Sequence, residues 1–145
     1  MPAHTMSHFT ILTKDVAGTE AFYAEMLGLR SGYRPPISRP GVWLYADDTP
    51  ILHVIDPVKM PNEPAGVLDH MAFNATGLKD VVAKVKRRAI DYVLYQQGET
   101  GTWQMFFHDV NGAKVELNFA KDEAGAHELA RVRARGRRVA TQAAG

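Results

Sequence analysis

Residues 68–75, LDHMAFNA, decide the fold when they are laid over residues 8–13, HFTILT. Both stretches alternate polar and apolar residues and are rich in β-branched or aromatic side chains, the pattern of a half-buried strand. Both carry a histidine at the same place, since His8 falls on His70 at an offset of 62. The match continues outward at that offset. Val16 falls on Leu78, Thr19 on Val81, Tyr23 on Val85, Leu27 on Ala89 and Tyr33 on Tyr95. At an offset of 63, Trp43 falls on Phe106, Leu52 on Val115, Val54 on Leu117 and His53 on Glu116. Few identities survive, but element order and apolar phase persist, which marks an internal repeat. We read an α+β chain of two tandem βαβββ modules, at about 7–56 and 68–119.

The local signals agree with the repeat. Asp15 can cap a helix whose stripe is Val16, Thr19, Phe22, Tyr23, Met26 and Leu27, and Gly28 stands where such a helix ends. Gly32, Pro35, Pro36 and Pro40 predict a loop, then strands follow at 41–46 and 50–55 around Asp47-Asp48-Thr49. The Pro-rich stretch 56–67 reads as a linker. In the second half, strand 68–75 precedes a helical stripe of Leu78, Val81, Val82, Val85 and Ala89. Strands at Tyr92–Tyr95, Gln104–His108 and Lys114–Phe119 follow, the last two flanking the turn Asp109-Val110-Asn111-Gly112. After Phe119 the periodicity fades. Residues 120–145 read as an Arg-rich tail, with a helix at about 122–135, appended to a domain at 7–119.

Composition narrows the function. A chain of 145 residues supplies one ordinary domain. With 46% hydrophobic and 23% charged residues it can build a packed core. The absence of cysteine excludes disulfides, thiolate nucleophiles and cysteine-held metals. A net charge of +1 gives no electrostatic case for nucleic acid or membrane partners. No apolar run reaches membrane-span length, and Met1–Ser7 lacks the layout of a signal peptide, so a cytoplasmic location is expected. The Arg131–Arg138 cluster has no interleaved aromatics and reads as a solvated terminus. Lys84, Lys86, Arg87 and Arg88 read as the solvated face of their helix.

Strand alternation then places the chemistry. His8 and Thr10 oppose Phe9 and Ile11. His70, Ala72 and Asn74 oppose Met71 and Phe73. Glu116 and Asn118 oppose Val115, Leu117 and Phe119. If helices cover the apolar faces, the opposite faces line a concave surface on which His8, His53, His70 and Glu116 converge. His8, His70 and Glu116 make a two-histidine, one-carboxylate set able to hold one divalent ion with positions left open. Iron is the slight preference among Fe, Mn, Ni, Co and Zn. His53 is either a fourth ligand or an acid–base group suited to proton transfer near neutrality. Tyr45, Gln104 and Phe106 are candidates for the substrate pocket, with Trp43 and Trp103 near them in sequence. His4, His108 and His127 read as surface residues.

On these residues the chain resembles the vicinal oxygen chelate superfamily of glyoxalases, extradiol dioxygenases, fosfomycin-resistance transferases, epimerases and bleomycin-resistance proteins. The likeness rests on the opening strand with His8, AFYAEMLGL at 21–29, LDHMAF at 68–73 and HDVNGAKVEL at 108–117. Val110 replaces the proline usual in the last of these. The resemblance implies that paired modules build a cupped, incomplete barrel with flanking helices, and that His8, His70 and Glu116 are metal ligands. It also implies a substrate chelating the metal through vicinal oxygens, and a homodimer. In glyoxalase I relatives the place of His53 usually holds a carboxylate or amide. Ring-cleaving dioxygenases use three ligands and a pocket His or Tyr, a role open to His53, Tyr45 or His108. The expectation is therefore a metal-dependent enzyme on a small molecule, with a slight preference for ring cleavage. A glyoxalase-type lyase or isomerase is the alternative, and a metal-free binding protein of the bleomycin-resistance kind is a third.

Overall fold

The computed structural model describes residues 6–63 and 68–131. Two sheets repeat one topology. In the first, β1 (Phe9–Leu12), β2 (Arg30–Ser31), β3 (Gly41–Ala46) and β4 (Thr49–Ile55) are ordered β1-β4-β3-β2. In the second, β5 (Met71–Asn74), β6 (Tyr92–Gln96), β7 (Trp103–His108) and β8 (Lys114–Phe119) are ordered β5-β8-β7-β6. Helix α1 (Val16–Leu27) follows β1 and helix α2 (Leu78–Arg87) follows β5. These are the two expected βαβββ modules.

The register carries the repeat down to single hydrogen bonds. β1 and β4 are parallel, with Thr10 opposite His53, and the pair ends where Thr13 N donates to Ile55 O at 3.0 Å. In the second sheet Ala75 N donates to Asn118 O at 2.9 Å. Thr13 maps to Ala75 and Ile55 to Asn118 at the same two offsets that the sequence gives. A parallel pair cannot be closed by a tight hairpin, so each module spans the gap with its helix and the strands that follow.

Each helix end has an identifiable cause. Asp15 Oδ1 accepts from Gly18 N at 2.9 Å, and a side chain at Gly18 would run into that carboxylate. Gly28 ends α1 in the left-handed region at φ 71. Helix α2 has no side-chain cap of its own at Gly77. Glu123 replaces it from far along the chain, accepting from both Gly77 N and Leu78 N at 2.9 Å. Helix α2 stops at Arg87, short of the stripe expected to reach Ala89, because Ala89 itself has φ 54.

Other expected boundaries shift as well. The strands expected at 8–13 and 68–75 shorten to β1 and β5, so His8 and His70 each stand one residue ahead of their strand. β2 falls where a loop was expected, beginning just before Gly32 and the prolines. It has only two residues and ends ahead of Gly32 and the Pro35-Pro36 pair. After Phe119 the chain is not featureless. Residues 126–131 are helical, Ala126 is buried, and Trp103 Nε1 donates to Lys121 O at 3.3 Å. The remainder of the expected tail helix, and Arg133 to Arg138, lie outside the described residues.

By proximity the chain falls into two compact units. One runs to Met71 and includes His108–Lys114; the other holds Ala72–Phe107 and the chain from Val115 onward. In the first unit α1 packs on β2, β3 and β4, burying Phe22, Tyr23 and Met26 with Leu44, Leu52 and Val54. The same unit holds a polar cluster inside this apolar surround. Tyr23 Oη donates to Asp109 Oδ2 at 2.8 Å, while Asp109 Oδ1 accepts from Asn111 N and Ala113 N, both at 2.8 Å. Thr13 Oγ1 donates to Asn111 Oδ1 at 2.6 Å, and Asn111 Nδ2 donates to Thr19 Oγ1 at 2.8 Å. In the second unit Val81, Val82 and Val85 of α2 are buried, as are Met105, Leu117 and Phe119.

Candidate functional site

The polar face of the first sheet starts from β4. His53 lies opposite Thr10 on one side and Trp43 on the other. Cross-strand partners share a face, so one face collects Thr10, His53, Trp43 and, two residues along β3, Tyr45. His8 continues the same face past the end of β1. The rings there form a stack. His8 lies on His53 with centroids 3.8 Å apart and planes at 18°, and Trp43 lies on the imidazole of His53 at 4.0 Å and 4°. His8 is exposed and its Nδ1 is 3.0 Å from Ser7 Oγ.

His53 is only 7% exposed, and its Nε2 is buried with no hydrogen-bond partner among the described residues. Burial first, then the neighbouring His8 and the Arg34 guanidinium, hold its imidazole below the usual protonation range. Arg34 sits in the loop after β2. That strand's pairing runs one step on, with Gly32 N donating to Trp43 O at 3.2 Å, so Arg34 follows on the flank of Trp43. Its Nη2 donates to Arg39 O at 2.7 Å, while its Nε is also buried and unpartnered. Tyr45 closes this end of the face. Its ring lies where any side chain at residue 32 would go, and its hydroxyl donates to Tyr33 O at 2.7 Å.

The remaining expected site residues are placed as follows. His70 is exposed, with Nδ1 2.7 Å from Asp69 Oδ2, and Lys114 Nζ reaches the same carboxylate oxygen at 3.1 Å. The bonds to His70 and Lys114 hold the Asp69 carboxyl below the usual carboxylate range. A carboxylate at Nδ1 fixes the orientation of the ring. Glu116 is 5% exposed on β8, where Gln104 Nε2 donates to its Oε1 at 2.6 Å. Phe106, one residue-pair along β7, stacks on Tyr95 at 5.8 Å. The structure thus joins His8 to His53 and Gln104 to Glu116. Among the described residues no three His, Asp or Glu side chains form a metal-holding group.

Two features escaped the sequence reading. Arg34 gave one local signal, since a residue before Pro35 is confined to extended backbone and presents its side chain from a fixed strand-like position. The Tyr23–Asp109–Asn111 cluster gave another in Thr13 and Thr19, polar residues at positions the apolar stripe reserves for core. Trp103 is buried, with His127 edge-on at 4.9 Å.

Comparison with known proteins agrees with this architecture. No sequence-family profile matches the chain. "Glyoxylase I 4" of Arabidopsis thaliana is 29% identical over 126 residues, covering 80% of this chain and 72% of that protein. A glyoxalase family protein from Enterococcus faecalis superposes with TM-score 0.59 at 25% identity, over 81% of this chain and 99% of that one. A fosfomycin resistance protein from Listeria monocytogenes, crystallised as a variant with Mn(II) and 1S,2S-dihydroxypropylphosphonic acid, superposes with TM-score 0.64 at 13% identity. It covers 81% of this chain and 93% of its own. Among the described residues no helix is long and apolar enough to cross a membrane. With its duplicated sheets and shared register, the chain has the fold of these glyoxalase and fosfomycin resistance proteins, the paired βαβββ modules of the vicinal oxygen chelate kind.

Proposed function

We propose that the protein is a divalent-metal-dependent enzyme acting on a small substrate through adjacent oxygens, with chemistry of the glyoxalase lyase or isomerase type. One observation carries the reading. The duplicated register puts an imidazole one residue ahead of the first strand in each module, and a buried ligand-type residue, His53 or Glu116, at the matching place in each last strand. Packing alone gives no reason for that coincidence.

The residues that would hold the ion are His8, His70 and Glu116, and two imidazoles with one carboxylate suit a divalent cation by donor chemistry. The ion would supply Lewis acidity toward a substrate oxygen. The protein's own groups do the rest. Gln104 fixes the Glu116 carboxylate, Asp69 fixes the His70 ring, and Trp43 and His8 hold the His53 ring between them. The His53 Nε2, buried and with no hydrogen-bond partner among the described residues, would take a proton from substrate and return it. Tyr45, Gln104 and Phe106 are proposed to border the substrate. The Arabidopsis relative weighs toward this chemistry over ring cleavage. Ring cleavage stays as the second reading because His53, an imidazole, stands where glyoxalase I relatives carry an oxygen ligand.

Elemental analysis of protein purified without chelator tests the metal, with near-stoichiometric Fe, Mn, Ni, Co or Zn expected. Lack of any metal, after reconstitution as well, sinks the enzyme reading in favour of a metal-free binding protein. His53→Ala is expected to keep the metal and lose turnover by a factor of about 10² or more. If it loses the metal instead, His53 is a ligand. Oxygen uptake with catechols under Fe(II) decides for ring cleavage.

A further inference from the structure

We propose that Arg34 selects acidic substrates, its Nε–H donating to a carboxylate or phosphonate oxygen beside His53. The inference rests on reading the polar face of the first sheet as substrate-binding. A guanidinium is always charged and carries five N–H donors in a rigid fork. In Arg34 one arm is spent on the Arg39 carbonyl, which fixes the plane of the fork. The Nε–H next to it is buried and has no acceptor among the described residues. Among the described residues no carboxylate pairs with this side chain. Burying a donor of a charged group without an acceptor is costly, so the position is complete only with an anionic oxygen present.

The surroundings agree. Arg34 follows directly on the strand whose last pairing reaches Trp43, and Trp43 covers His53. His53, whose ring feels the Arg34 charge, brings a second buried nitrogen with no partner among the described residues. Two unspent nitrogens, one an obligate donor and the other able to donate or accept, suit a ligand with an acid oxygen and a neighbouring proton-bearing oxygen. The indole and the two imidazoles give that ligand an aromatic wall. Pro35 and Pro36 stiffen the loop, so Arg34 is held in place before the ligand arrives.

The test uses the full chain as purified and again after dialysis against EDTA, with metal content measured on both. Calorimetric titrations compare phenylphosphonate and benzoate with benzyl alcohol, probes that share a ring but not an acid. At least one acid is expected to bind about tenfold more tightly than the alcohol, in both preparations. Which acid does so separates a phosphonate seat from a carboxylate seat. Arg34→Gln is expected to abolish the preference, and Arg34→Lys to keep part of it through charge alone. The Arg34 Nε–H resonance, identified by its absence in the lysine variant, is expected to shift with the acid and not with the alcohol. Equal affinities, a preference that survives Arg34→Gln, or one confined to metal-loaded protein each overturn the proposal. If Arg34→Gln melts early, the lysine variant and the wild-type resonance still decide. A metal-free purified protein would defeat the enzyme reading and leave this test intact.

Discussion

Tyr23 shows how one residue joins sequence to fold. The helical stripe predicts it as core, and it is fully buried. Its hydroxyl, however, ends on Asp109, the same carboxylate that folds the 109–113 turn. Burial, then the Asp109 charge and the hydrogen bond, raises the Tyr23 phenol far above its usual range. The folded state therefore holds that proton where the unfolded chain has lost it. Stability from Tyr23 is intact below the ordinary phenol value of about 10 and falls as pH rises beyond it. Tyr23→Phe is expected to cost about 1–3 kcal/mol at neutral pH, by leaving Asp109 short of a donor. It should also flatten the alkaline limb of stability measured by denaturant titration from pH 8 to 11. An unchanged limb would rule out this coupling. The Tyr23–Asp109 partnership was not legible from sequence, because it joins residues 86 positions apart.

At the scale of elements, hydrogen-bond chemistry decided most boundaries. Asp15, Gly28 and the Asp47-Asp48 turn behave as their residue types predict. β2 was missed because two residues cannot show a period. Gly41 illustrates a constraint visible only in the paired strands. A Cβ there would strike the backbone carbonyl of Val54, so Gly41→Ala must push β3 off β4. We expect a loss of roughly 1–3 kcal/mol in chemical denaturation, with the Trp43–His53 stack loosened as well. Loosening would appear as a change in tryptophan fluorescence. Glu123 makes a parallel case for α2. Glu123→Ala is expected to cost about 1 kcal/mol, and to speed amide exchange at Gly77 and Leu78 before it does so elsewhere. Uniform exchange across the helix would show that the cap is not what holds its first turn.

At the scale of the whole molecule, chain that reads as an appendage supports the second module. Truncation after Phe119 would remove Glu123 from α2, Lys121 O from Trp103 and the buried Ala126. We expect the truncated chain to melt well below the full one, and equal melting temperatures would return residues 120–131 to the status of a tail. Metal removal is a second global readout. A bound ion at about 100 times its dissociation constant stabilises by about 2.7 kcal/mol, or roughly 5–10 °C in melting temperature at this size. EDTA should therefore lower the melting point of wild type, and should leave that of a His8→Ala/His70→Ala double variant unmoved.

The sequence by itself determined the duplication, the element order and the identity of the candidate ligands. Those are written in apolar period, turn chemistry and the offsets between halves, all of them local or translational signals. Tertiary structure alone decided that His53 is buried between Trp43 and His8, that Arg34 keeps an unspent donor beside them, and that Glu116 is gripped by Gln104. Each of these depends on which strands become neighbours and in what register, and a single strand's pattern fixes which residues share a face but not what that face meets.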